Sequence, residues 1–272
     1  MVKFFLMMKM DRKIDKPLIL VTNDDGITAP GIRALIEVMN RLGEVVVVAP
    51  ESAMSGKGHA ITINSTLYCD EVKIDDGPQR EFKSNGTPVD CVKLAVDQVL
   101  HRKPDLLVSG INHGSNSSIN IIYSGTMSAA VEGGIEGIPS IGFSLTDYKW
   151  DADFTAAKHY VEIIAKKVLE SREHLPLPFI LNVNIPAIPL EQIRGIMVGR
   201  QANAKWIESF DKRVNPHGRE YCWLTGEFVN FDQGTDTDEY ALENGYVSVV
   251  PISFDMTAYH LIDRLKKWNF HE

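Results

Sequence analysis

Cysteine is scarce in this 272-residue sequence: Cys69, Cys91 and Cys222 are odd in number, far apart and form no CxxC pair. That excludes a disulfide-stapled scaffold and fits a reducing, cytoplasmic setting. Positive charge is in the minority, 28 Lys and Arg against 36 Asp and Glu, for a formal charge of −8. Without a basic surface the chain is not expected to bind a nucleic acid duplex, whose affinity comes from displacing counterions. A small anion can still be held where a metal and backbone amides meet its charge locally. Long apolar runs are missing as well, none approaching the ~20 residues of a membrane span, so a soluble protein is expected. Residues 1–10 hold an apolar core of about five residues, shorter than the roughly 7–15 of a signal-peptide core. Lys9, Asp11, Arg12 and Lys13 then follow with no small-residue cleavage site. Residues 1–15 are therefore expected to be a frayed extension, with Met7, Met8 or Met10 as alternative starts. There is no Walker A sequence, no GxGxxG after the first apolar run and no GxSxG elbow. ATP-loop, dinucleotide and serine-hydrolase readings lack their signatures.

The remaining composition, 44% apolar and 24% charged, is that of an ordinary globular protein. Its length suits one large domain or a domain with a smaller appendage. Residues 18–21 are an aliphatic run, 29–42 have helical spacing with Pro30 suited to a first turn, and 45–48 are aliphatic again. Strand, helix, strand with continuous Val/Ile/Leu runs opens a doubly wound parallel sheet, because such strands are buried on both faces. Residues 61–84 alternate and carry Asp75, Asp76, Gly77 and Pro78, which predicts a β-hairpin. Helices are predicted over 88–100, from about 125 and over 152–170, with strands at 106–108, 138–145 and 179–185. After about residue 200, Trp206, Phe210, Tyr221, Trp223, Phe228 and Phe231 alternate with polar residues around Asn215, Pro216, His217 and Gly218. That pattern predicts a hairpin arm packing on a neighbouring subunit, followed by a closing helix at 257–268. The expected architecture is α/β: a Rossmann-like, doubly wound, mostly parallel sheet with a C-terminal β-hairpin arm and terminal helix. Its divisions are 1–15, a catalytic domain at 16–200, and an arm with closing segment at 201–272.

Open α/β sheets bind ligands at the carboxyl ends of their strands. Asp24 and Asp25 follow the first strand, and unpaired carboxylates there are costly unless something positive neutralises them. A divalent, oxygen-liking cation is one answer. Turn and cap chemistry is the other, since Asn23, Asp24, Asp25 and Gly26 also make a good turn. Two further loops follow strand ends: residues 50–60, with Ser52, Ser55, Gly56, Lys57, Gly58 and His59, and residues 109–118, with Asn112 and His113. Ser124, Gly125 and Thr126 lead into a helix, an arrangement that suits phosphate or serves as a plain N-cap. Asn85 opens the helix at Val89 and could add a polar contact. The remaining histidines lack metal-ligand spacing. Asp232, Asp236, Asp238 and Glu239 read as a solvated turn, because the Ca²⁺-loop glycine pattern is missing.

Together these segments resemble the SurE family of stationary-phase survival proteins, metal-dependent nucleotidases. The matching pieces are residues 18–26 with the Asp pair, 48–62 through Ser55 and His59, 86–91, 109–112 and 124–126, in the family's order. Residues 245–251 look like its C-terminal region. The resemblance implies one divalent ion per subunit, Mg²⁺ or Mn²⁺, held by Asp24, Asp25, Ser55 and Asn112. It implies hydrolysis of nucleoside 5′- and 3′-monophosphates, with phosphate contacts from Asn85, Ser124, Gly125 and Thr126. Asp24 and Asp25 are both candidates to take the proton, with Asp24 favoured. It further implies a homodimer or homotetramer with exchanged C-terminal arms. A broader phosphatase that also trims short polyphosphate, and a non-catalytic nucleotide-binding regulatory module, are the competing expectations.

Overall fold

The computed structural model describes residues 16–268 and 270; the expected N-terminal extension, 1–15, lies outside them. In chain order the elements are β1 (Leu18–Thr22), α1 (Pro30–Leu42), β2 (Glu44–Pro50), β3 (Cys69–Val72), β4 (Arg80–Ser84), α2 (Pro88–Leu94), β5 (Leu106–His113), α3 (Gly125–Ile135) and β6 (Ser140–Leu145). They continue as α4 (Thr155–Ser171), β7 (Ile180–Ile185), β8 (Ile196–Val198), β9 (Ala204–Val214), β10 (Glu220–Asn230), α5 (Asp238–Glu243), β11 (Val247–Pro251) and α6 (Tyr259–Leu265).

Nine strands form one sheet in the order β3-β4-β2-β1-β5-β6-β7-β11-β8. From β4 to β7 all neighbours are parallel, while β3 and β11 run antiparallel to β4 and β7. The continuous aliphatic runs are explained by burial on both faces. Ile19 and Val21 pack on the side of α1 and α4, whereas Leu18 and Leu20 join Cys91, Val92 and Ala129 from α2 and α3. The chain winds outward from β1 through β2 to β4, then returns to β5 on the other side of β1 and winds out again. This reversal leaves a crevice at the carboxyl ends of β1 and β5, the place where doubly wound sheets bind ligands.

Local chemistry sets the element ends. Pro30 occupies the first turn of α1, where its missing N–H costs nothing. Thr87 and Asp90 form a reciprocal capping box at α2. The expected hairpin within 61–84 is β3–β4, and the aromatic arm is β9–β10, paired from Ala204–Asn230 to Val214–Glu220. Three details differ from the pattern reading. The helix expected over 88–100 is α-helical only to Leu94 and then widens into a π-helical turn at Ala95–Val99. Residues 109–113 belong to β5 and not to a loop, although the β5–β6 register shifts between Ser109 and Asn112. Short β8, α5 and β11 have no counterpart in the reading, and β11 returns the chain from the arm to the main sheet.

The acidic cluster needs the clearest correction. Asp238 is buried, accepting from the amides of Ser118 and Ala202 at 2.8 and 2.9 Å, and Glu239 accepts from the Ser117 hydroxyl at 2.5 Å. Asp236 is exposed and Asp232 half-buried, and both pair with Arg200 at the root of the arm. The cluster therefore ties the arm and α5 to the loop after β5. A carboxylate that accepts several backbone N–H bonds can be buried where a bare one cannot.

Candidate functional site

The turn after β1 is set by Asn23, whose Nδ2 donates to the Gly26 carbonyl at 2.9 Å. Gly26 has φ +99°, a conformation glycine adopts freely. The Ile27 amide then donates to Pro50 O at 2.8 Å, and Met54 N donates to Asp24 O at 2.7 Å. These two bonds dock the loop after β2 onto the loop after β1. Ser55 is thereby brought to the same cavity as the Asp pair.

That cavity, about 260 Å³, is lined by Asp24, Asp25, Ser55, Asn112, His113 and Ser124, with Tyr123, Tyr148 and Trp206 among the other contributors. Three larger cavities lie elsewhere, one of them, near 390 Å³, beside Arg41 and Glu162. A polar one near 540 Å³ sits beside Arg33 and Lys158. An apolar one near 850 Å³ lies beside α3 and residues 250–256. None of the three sits at the carboxyl ends of β1 and β5, where the carboxylates converge.

Asp24 is 4% exposed. Its Oδ1 accepts the Thr126 hydroxyl at 2.5 Å. Burial is the largest influence on it; Thr126 pulls the other way, the charge of Asp25 adds to burial, and the carboxyl pKa is pushed up to about 6. Asp25 lies at 3.2 Å from His113 Nδ1. That contact, opposed by burial, raises the imidazole pKa above its ordinary value. The ring stacks on Trp150 with centroids 5.6 Å apart and meets Phe154 edge-on at 5.3 Å. Among the described residues neither carboxylate forms an ion pair with a lysine or arginine; His113 is the basic partner of Asp25.

Asn112 Nδ2 donates to Gly114 O at 2.8 Å, which turns Oδ1 the other way, to 3.4 Å from the Thr126 hydroxyl. Asp24 and Asn112 thus present oxygens around a single hydroxyl. Gly125 completes this corner: a Cβ there would lie 2.6 Å from Asp24 Cβ and 2.8 Å from Oδ2, so only glycine lets α3 start this close to the carboxylate. Ser124 caps α3, accepting from the Met127 amide at 3.0 Å, and also lines the cavity. Asn85 is elsewhere. It accepts from Tyr68 N at 2.8 Å and donates to Thr66 O at 3.1 Å, closing a surface loop outside the cavity.

The loop after β5 is held by a buried amide and hydroxyl network. Asn184 Oδ1 accepts from Asn116 N, Asn116 Nδ2 donates to Ser144, and Asn182 donates to Asn116 O. His59, the other loop histidine, pairs with buried Glu132 at 2.9 Å, and Lys93 bonds the same carboxylate. It anchors the loop after β2 to α3.

The donors facing the cavity are two carboxylates, a carbonyl oxygen and a hydroxyl. That hard-oxygen set suits Mg²⁺ or Mn²⁺ and fits poorly with softer metals. Asp24 is buried and has no lysine or arginine partner among the described residues, and an uncompensated charge in such a place is costly.

Fold and site define a class: a doubly wound α/β protein with an acidic, oxygen-lined pocket at its topological switch point. The chain belongs to the SurE family. The model of that family, survival protein SurE, matches residues 19–208. The chain is 63% identical over 258 residues to 5′-nucleotidase SurE of Christiangramia forsetii, covering 94% of this chain and 98% of that one. The Flavobacterium psychrophilum protein of the same name is 61% identical, covering 95% and 100%. The crystal structure of the SurE protein from Aquifex aeolicus aligns with a TM-score of 0.79 at 42% identity, over 92% of this chain and 98% of that one.

Pattern reading missed Tyr148, Trp150, Phe154 and Trp206 as site neighbours and left His113 without a role. Trp206 carried a local signal, an aromatic in an exposed arm, but that signal pointed to subunit packing.

Proposed function

We propose that this chain is a divalent-metal-dependent phosphomonoesterase that releases nucleosides from their 5′- and 3′-monophosphates. The chain is a nucleotidase by its relatives, which carry that name at 56–63% identity across nearly their whole length. One observation carries the metal-dependent reading: Asp24 is buried, has no lysine or arginine partner among the described residues, and shares the Thr126 hydroxyl with the oxygen of Asn112. Asp24, Asp25, Asn112 and Ser55 would hold the ion. When bound, it supplies Lewis acidity and a water of lowered pKa.

The protein's own groups account for the rest. Thr126 fixes one oxygen of Asp24, leaving the other to take the proton from the attacking water. His113 orients Asp25 by its hydrogen bond. The first turn of α3, from Ser124 through Thr126, offers a positive dipole end to the equatorial phosphate oxygens. Asn85, engaged with Thr66 and Tyr68, contributes nothing direct in this arrangement.

The test is phosphate release from a panel of 5′- and 3′-monophosphates after chelator stripping. Turnover is expected to vanish on stripping and return with Mn²⁺ or Mg²⁺. Activity indifferent to chelator would sink the metal-dependent reading. Turnover on short polyphosphate with none on monophosphates would favour the broader phosphatase.

We further propose a cytoplasmic homodimer or homotetramer with exchanged arms. Phe210, Val214, Trp223 and Leu224 are large, apolar and exposed on β9–β10, a surface that a second copy would cover. Light scattering is expected to return a multiple of 30.4 kDa. Deleting residues 205–229 is expected to lower that multiple, and a monomeric intact chain would overturn the proposal. Among the described residues no helix is long and apolar enough to cross a membrane.

A further inference from the structure

The cavity changes character from its floor to its mouth. Its floor is polar and buried: Asp24 and Ser124 are nearly inaccessible. Its mouth is aromatic, with Tyr123, Tyr148 and Trp206 exposed by 57%, 72% and 40%. Three rings gathered at one cavity give its mouth an apolar contact face above a polar floor, the combination by which pockets hold and orient a ligand.

Two of the rings are held on one loop. The Trp206 indole N–H donates to Asn120 Oδ1 at 2.9 Å, and the ring also meets Phe228 edge-on, with centroids 5.6 Å apart. Tyr148 rests on Gly114, where a Cβ would lie 2.3 Å from the ring. Gly114 itself has φ +99°, so both space and backbone favour glycine under that ring. Residues 114–120 therefore carry a tyrosine at one end and a tryptophan at the other. The same loop is pinned to the sheet by Asn116 and to α5 by Ser117 and Ser118. A loop fastened this often presents its rings in a defined orientation, which lowers the entropy lost when a ligand stacks on them.

We propose that Trp206 and Tyr148 form the nucleobase subsite, stacking on the base while the phosphate reaches the acidic floor. This rests on the nucleotidase reading and supplies its selectivity. A nucleoside monophosphate has the same polarity as the cavity, dianionic at one end and flat and aromatic at the other. Stacking accepts every base, since each has a π-face, so the subsite selects for the presence of a base over its identity. It also gives the arm a part in the site, because Trp206 belongs to β9.

The experiment compares kcat/KM for a nucleoside 5′-monophosphate with that for ribose 5-phosphate, the same ester without its base. The ratio is read in the intact protein, in Trp206→Ala, in Tyr148→Ala and in the double variant. Each single change is expected to lower the ratio about tenfold, and the double change about a hundredfold, chiefly through KM for the nucleotide. Trp206→Phe keeps a stacking face and is expected to retain most of the ratio. Circular dichroism and light scattering accompany each variant. A ratio unchanged in the double variant overturns the subsite, and so does loss of oligomer mass with the ratio intact, which assigns Trp206 to a subunit contact. An intact protein that releases phosphate from neither ester overturns the nucleotidase reading and the subsite with it.

Discussion

Asp24→Asn is expected to lower turnover about a thousandfold and, in the same preparation, to stabilise the metal-stripped protein at pH 8. The two effects have one origin. Asp24 is 4% exposed, and its carboxyl is raised from 3.8 to about 6, with burial as the main cause. The folded protein therefore holds this proton between pH 3.8 and about 6, where the unfolded chain has released it. The favourable contribution is fully present below 3.8 and is lost as pH rises through 6. Above that, the fold carries a charge it solvates poorly.

Two pH units correspond to about 3 kcal/mol, an upper figure for a group whose partner Thr126 survives the change. In a chain of this size that is roughly 5–10 °C in thermal midpoint. Melting both proteins in chelator at pH 8 and at pH 4 checks it. The variant should lead at pH 8, the gap should narrow at pH 4, and saturating Mn²⁺ at pH 8 should reverse the order. Reversal follows because a ligand that binds only the folded form stabilises it by mass action, and the variant would hold the ion weakly. An equal midpoint at pH 8 in chelator would show that the Asp24 charge is solvated after all.

Gly125→Ala is the second change with a large expected effect, and its balance runs the other way. A methyl group at 125 meets Asp24 Cβ at 2.6 Å and Oδ2 at 2.8 Å, closer than real Cβ contacts. The carboxylate or the start of α3 has to move. Overpacking of this kind costs about 1–3 kcal/mol, part of it offset by the better helix propensity of alanine. Displacing a reacting group by about 1 Å costs on the order of a hundredfold in rate. The variant is expected to fold, to melt a few degrees lower and to lose about a hundredfold in kcat/KM. Retained activity would mean that the corner between Asp24 and α3 is not where the reaction occurs.

Much of the molecule was legible before any coordinates. Residues 18–21 and 45–48 read as strands because an unbroken aliphatic run can be accommodated only with both faces covered. The Asp pair was legible because carboxylates at a strand's end need an explanation, and Ser55 and Asn112 followed from the family resemblance. Of the eight residues named for the site, Asn85 is the one whose side chain points to other work, bonding Thr66 and Tyr68. Nothing in a Gly-Thr-Pro neighbour distinguishes an amide that meets substrate from one that closes a loop. The acidic cluster at 232–239 misled for a related reason: composition reads four acids as solvated. Whether Asp238 is buried depends on two amides, Ser118 and Ala202, distant in sequence from it.

The sequence by itself determined the central strands, the long helices and the loops that follow the strands, but not β8, α5, β11 or the extension of β5 through His113. Those properties follow from the period and continuity of burial, which neighbours along the chain encode. Only the tertiary structure decided which side chains meet. Thr126 is 102 residues from Asp24, His113 is 88 from Asp25, and Trp206 is 86 from Asn120. Those pairings exist because the sheet reverses its winding between β1 and β5, bringing loops from distant strands to one crevice. Strand order is a global outcome of packing, and no local pattern of residues specifies it.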